Sequence, residues 1–124
     1  MKIQESAENY LEAILMLGEK NGRVRSIDIA NELSFTKASV SVAMKTFRQE
    51  GYIEVNEDGH ITLTEKGLEI ANKIYERHKL FAKALIALGV DEKTAHEDSC
   101  RLEHGISEQS FEKIKAYLAQ QGIV

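Results

Sequence analysis

Apolar residues recur at Ala7, Tyr10, Leu11, Ile14, Leu15 and Leu17, the three-to-four-residue spacing of a helix with one buried face over 5–20. Ser6 stands where a cap belongs, and Asn21-Gly22-Arg23 ends the stripe because Asn-Gly accepts positive φ easily. A shorter stripe follows in Ile27, Ile29, Ala30 and Leu33, with Ser26 as its expected cap. After the tight connection Ser34-Phe35-Thr36, Thr36 is expected to cap a third helix whose inner side is Val40, Ala43, Met44 and Phe47. Gly51 is placed to end it in a left-handed conformation. The period then drops to two. Ile53 and Val55, a turn over Asn56-Glu57-Asp58-Gly59, and Ile61 and Leu63 read as a two-stranded hairpin. Helical spacing returns from Thr64 to Gly89, then from Asp91 to about His104, and again after Ser107.

The predicted fold is therefore mainly α with a small β-hairpin wing. Helix, short helix, tight turn, helix and hairpin form a winged helix-turn-helix over 1–72, and a helical domain follows over 73–124. Proline is absent from the 124 residues, in keeping with so much helix. Residues 84–90 form the longest apolar stretch, far too short to span a membrane, and the first ten residues carry no apolar leader. The single cysteine, Cys100, excludes an intrachain disulfide and suits a reducing compartment, so the expected location is cytoplasmic.

The net charge of −4 argues against nucleic acid until its distribution is considered. Residues 22–50 hold five basic side chains against three acidic ones, whereas 91–124 hold seven acidic against four basic. On the third helix, Lys37, Ser39, Ser41 and Lys45 share the exposed side. Arg25, Ser26 and Thr36 stand at helix N-termini, where backbone N–H groups favour phosphate. Solvated faces of a small helical domain would carry similar charges. It is the order of elements that favours duplex DNA as the partner.

The second half carries different chemistry. Cys100, Glu103 and His104 are spaced i, i+3, i+4, and His96 lies one turn earlier, so all four share one helical face. Thiol, carboxylate and imidazole are transition-metal ligands, but one helix rarely completes a coordination sphere. Asn9 and Glu12 on the first helix and His78 on the long one are the candidates to add donors. Spacing alone leaves both readings open, since a lone cysteine is commonly a small buried hydrophobe. An enzyme is not expected, because no HExxH, phosphate loop or nucleophile elbow is present. A metal buffer without a DNA role is disfavoured by the basic side of the third helix.

Taken together, "SAENYLEAILML", "GYIEVNEDGHITLTEKG", "YERHKLF" and "AHEDSCRLEHGIS" resemble the diphtheria toxin repressor family of metal-dependent transcriptional regulators, iron and manganese branches included. The resemblance implies a homodimer formed by the C-terminal helices, in which metal stabilises the DNA-competent arrangement. It matches Cys100, Glu103 and His104 to the family's main metal site, His78 and His96 to a second site of iron-type members, and Glu12 to a carboxylate of manganese-type members. Asn9 departs from the usual Met or Asp and offers only a neutral oxygen. Ala82 stands where iron-type members have Glu, and the SH3-like domain of longer members is expected to be missing. A thiolate at Cys100 favours Fe²⁺, and equally Co²⁺, Ni²⁺ or Zn²⁺, over the harder Mn²⁺. The expected function is an Fe²⁺-responsive DNA-binding repressor. The alternative is a winged-helix regulator of the same ancestry with weakened or lost metal control.

Overall fold

The computed structural model describes residues 5–124, with side chains from Ser6 onward. The leader reading of residues 1–4 lies outside the described residues. The chain divides into two compact units, Met1–Asn72 and Lys73–Val124.

The first unit contains α1 (Glu5–Asn21), α2 (Ser26–Leu33), α3 (Lys37–Gln49), β1 (Ile53–Val55), β2 (Ile61–Leu63) and the start of α4 (Glu65–Ala87). Its core takes one face from each helix, with Leu11, Ile29, Val40 and Ile53 essentially excluded from water. Burying such a side chain contributes roughly 1.5–3 kcal/mol. Aromatic rings link the helices to the wing: Tyr10 meets Phe47 edge-on at 5.6 Å, and Phe47 meets Tyr52 at 6.3 Å. The strands pair antiparallel, with Ile53 opposite Leu63 and Val55 opposite Ile61. Asn56 closes their turn, its side-chain oxygen accepting from the N–H groups of Asp58 and His60. The wing is tied down where Ile61 N–H donates to the Val24 carbonyl at 2.7 Å.

Thr36 caps α3 by accepting from Ser39 N–H at 3.1 Å, and Gly51 follows that helix at φ +83°. Ser26 does not cap α2. Arg25 holds the cap position and Ser26 is already helical, because the Asp28 carboxylate reaches back to accept from Arg25 N–H at 2.9 Å. Ser34, in the connection to α3, is the one non-glycine residue at positive φ among those described, at +58°. Thr64 opens α4 with a hydroxyl that donates to the Gly51 carbonyl and accepts from Gly67 N–H.

In the second unit, the later turns of α4 pack with α6 (Glu108–Gln120) around Leu80, Phe81, Phe111 and Leu118, and α5 (Glu92–Leu102) buries Ala95 and Ser99. Asp91 and Ser107 cap α5 and α6, accepting from Thr94 N–H and Ser110 N–H. Helix α5 stops at Leu102, short of His104. Glu103 follows as its C-cap, still with helical dihedrals and donating its N–H to the Ser99 carbonyl. No described helix is long and apolar enough to cross a membrane.

Candidate metal centre and nucleic-acid face

Within the second unit, α4 and the end of α5 bring five of the expected ligands together. His78 and Glu103 are both buried, Glu103 completely so. His78 Nδ1 lies 2.9 Å from Glu103 Oε2 and 3.8 Å from Cys100 Sγ. One ligand atom each from His78, Cys100 and Glu103 fall within 4.8 Å of one another. His104 borders the group, with Nε2 3.4 Å from Glu103 Oε1. His96 lies behind His78, its Nδ1 3.0 Å from His78 Nε2 and its ring stacked at 5.2 Å.

His78 turns one ring nitrogen to Cys100 and Glu103 and the other to His96, so a single histidine joins the two sets. Ala82, buried one turn on, supplies no donor to a separate site. Asn9 and Glu12 stand on α1 of the first unit, half-buried and buried respectively.

The charges account for this packing. The Cys100 and Glu103 hydrogen bonds, opposed by burial, raise the His78 imidazole to about 10. As imidazolium, it donates from Nδ1 to Glu103 and from Nε2 to His96. Even so, Glu103 Oε1 is buried with no hydrogen-bond partner. A fully buried carboxylate with one unsatisfied oxygen, beside a thiol and imidazoles, fits a divalent transition cation. The His78 shift also makes a prediction. A raised histidine stabilises the fold fully below its unfolded value near 6.5. That stabilisation is lost as pH rises through the folded value of about 10. In chelator, the melting temperature is expected to fall between pH 7 and pH 10, and to fall less in His78→Gln. Parallel profiles for the two proteins would contradict the assignment.

Arg77 was not singled out from the sequence. A cation inside an amphipathic helix reads as solvated, and its partners lie 26 or more residues away. The structure buries it. Its guanidinium donates to the carbonyls of Glu103 and Ile106 at 3.2 and 2.8 Å, lies 3.4 Å from Glu108 and sits over the Phe111 ring. It thereby fixes the turn that carries Glu103 and His104.

In the first unit, Arg25, Thr36, Lys37, Ser39, Ser41 and Lys45 are exposed and Ser26 is half-buried. Ser26, Ile27, Lys37 and Ser41 line a shallow cleft where the N-terminal ends of α2 and α3 meet. Thr36 and Ser39 are engaged with each other in the cap, with their hydroxyls 2.9 Å apart. Lys37, Ser41 and Lys45 fall on one side of α3 at i, i+4, i+8.

Two family models match the chain. The family model described as the iron dependent repressor N-terminal DNA binding domain matches residues 2–61. That for the iron dependent repressor metal binding and dimerisation domain matches residues 64–121. An uncharacterized HTH-type transcriptional regulator of Methanocaldococcus jannaschii is 37% identical over 118 residues, covering 94% of each chain. The HTH-type transcriptional regulator MntR of Bacillus subtilis is 33% identical, covering 88% of this chain and 77% of its own. A solved manganese-dependent transcriptional repressor in complex with manganese superposes with a TM-score of 0.83 at 25% identity. The match covers 91% of this chain and 52% of that one, so the chain spans about half the length of that structure. A winged helix-turn-helix followed by a helical unit that gathers an exposed thiol, a buried carboxylate and a buried imidazole, matched along its length, places this chain in the iron-dependent (diphtheria toxin) repressor family of metal-dependent, DNA-binding transcriptional regulators, whose members are not enzymes.

Proposed function

We propose that this chain is an Fe²⁺-responsive, homodimeric, cytoplasmic repressor that binds operator DNA through α3 and the wing. The observation that carries the metal reading is the fully buried Glu103 carboxylate, whose Oε1 has no hydrogen-bond partner, beside Cys100 and His78. Cys100, Glu103, His78 and His104 are the proposed ligands in the second unit, and Glu12 and Asn9 are the candidates that the family resemblance adds. His96 orients His78 through Nε2. A bound divalent cation supplies the positive charge that balances Glu103 and a Cys100 thiolate, while His78 gives up its Nδ1 proton. The thiolate supports iron over manganese. Lys37, Ser41 and Lys45, with Arg25, Ser26, Thr36 and Ser39, are proposed to meet the duplex.

The test is retention of a randomised duplex pool on immobilised protein, without oxygen, in Fe²⁺, Mn²⁺ or chelator. Strong retention in Fe²⁺, weaker in Mn²⁺ and lost in chelator is expected. Equal retention in all three overturns metal control, and Mn²⁺ matching Fe²⁺ overturns the iron preference alone.

A further inference from the structure

Every helix but one is followed within two residues by a residue at positive φ: Gly22, Ser34, Gly51, Gly89 and Gly122. At such ends the backbone closes on itself, as where Tyr52, Val90 and Ile123 donate their N–H groups to the Phe47, Leu85 and Leu118 carbonyls. Helix α5 is the exception. Glu103 follows it at φ −63°, and Gly105, two residues later, does not take a positive φ.

The end of α5 is closed instead by a side chain from another helix. Arg77 of α4 donates through Nη1 to the carbonyls of both Glu103 and Ile106. These are carbonyls that the last turn of a helix cannot satisfy by itself. Arg77 is only 6% exposed, and its Nε is buried with no hydrogen-bond partner, so holding the fork there has a cost. By charge alone a buried cation is also unwelcome next to a carboxylate meant for a divalent ion. Its guanidinium engages the Glu103 backbone and pairs outward with Glu108, which leaves Glu103 Oε1 unpartnered. A glycine cap would fix this turn relative to α5 alone. A planar fork from α4 fixes it relative to the helix that carries His78, the very next residue.

We infer that Arg77 is a positioning residue for the metal: it replaces the missing helix cap and sets Glu103 and His104 at the distance from His78 that one ion spans. The inference rests on the ligand reading above and adds to it a residue that touches no ion. Cys100 lies inside α5, before the turn that Arg77 holds, so its placement is expected not to depend on the arginine.

The test loads the full chain with Co²⁺ without oxygen and reads two absorptions. The thiolate-to-cobalt band in the near ultraviolet reports Cys100, and the visible d–d bands report the whole coordination shell. Arg77→Met removes fork and charge, whereas Arg77→Lys keeps a charge without the planar fork. Arg77→Met is expected to lower Co²⁺ affinity by about 10- to 100-fold, with Arg77→Lys in between. At saturating Co²⁺ both variants are expected to keep the thiolate band and to show altered d–d bands. Affinity within about threefold of the parent in both variants overturns the inference, and tighter binding overturns it too, since the arginine would then act only by its charge. Weaker binding with an unchanged spectrum at saturation also overturns it, because a merely structural role lowers stability without moving the ligands. Melting in chelator shows which variants are folded, and if Arg77→Met is not, Arg77→Lys decides by the same readouts. If the wild-type protein binds no Co²⁺, the ligand reading falls and this inference with it.

Discussion

Glu103→Gln is expected to lower metal affinity by at least about 100-fold and to abolish metal-controlled DNA retention, with the fold intact. Glutamine has the shape of the carboxylate and still offers His78 an oxygen to accept its Nδ1 proton, so the 2.9 Å contact survives. What it lacks is the negative charge, and Glu103 is the only completely buried carboxylate among the described residues. Losing even an outer partner of a metal ligand commonly lowers affinity 10–100-fold, and loss of a charged ligand is expected to exceed that. Competition against a chromogenic chelator, with Co²⁺ as probe, measures the change, and thermal melting in chelator checks the fold. An affinity within threefold of the parent would remove Glu103 from the ligand set.

The second large effect has no connection to metal. Gly67→Ala is expected to destabilise the winged unit by about 3 kcal/mol or more, since its clash is with backbone and cannot relax by a rotamer change. A Cβ on residue 67 would stand 2.1 Å from the Tyr52 carbonyl oxygen, 3.0 Å from its carbon and 3.3 Å from Leu63 Cδ2. That oxygen already accepts from Thr64 N–H at 3.0 Å, and the Tyr52 ring is buried against Phe47. Relief requires either lifting the first turn of α4 off the hairpin or giving up that bond. For a unit of this size, about 3 kcal/mol corresponds to a fall of roughly 12 °C or more in melting temperature. A circular dichroism melt within about 3 °C of the parent would show that the approach is looser than the structure draws it.

Gly67 also marks what sequence reading reaches. Periodicity and caps were enough for the helices and hairpin, because a buried face and an orphaned N–H are local requirements. Thr36, Asp91 and Ser107 cap where their side chains predict. Ser26 did not, because choosing between it and Arg25 depends on which backbone N–H the Asp28 carboxylate reaches. Glycine inside "EKG" looks like a tolerated weakness in a helix. Its purpose is visible only when the hairpin lies against it.

The metal cluster divides in the same way. That Cys100 and Glu103 meet follows from helical spacing, which Glu103 keeps as the C-cap of α5, while His104 lies one residue beyond it. That His78 turns toward that pair, and that Arg77 clamps the turn behind it, depends on α4 packing against α5, and no local pattern records it. The departure at Asn9, a neutral amide where a Met or Asp is usual, was legible as chemistry.

The imidazolium of His78, held between Cys100, Glu103 and His96, has a consequence for the regulator's set-point. An ion that takes the Nδ1 position exchanges with a proton instead of filling a vacancy. Loading of the cluster is therefore expected to weaken as the solution acidifies. In the proposed regulator, occupancy would then report metal and acidity together.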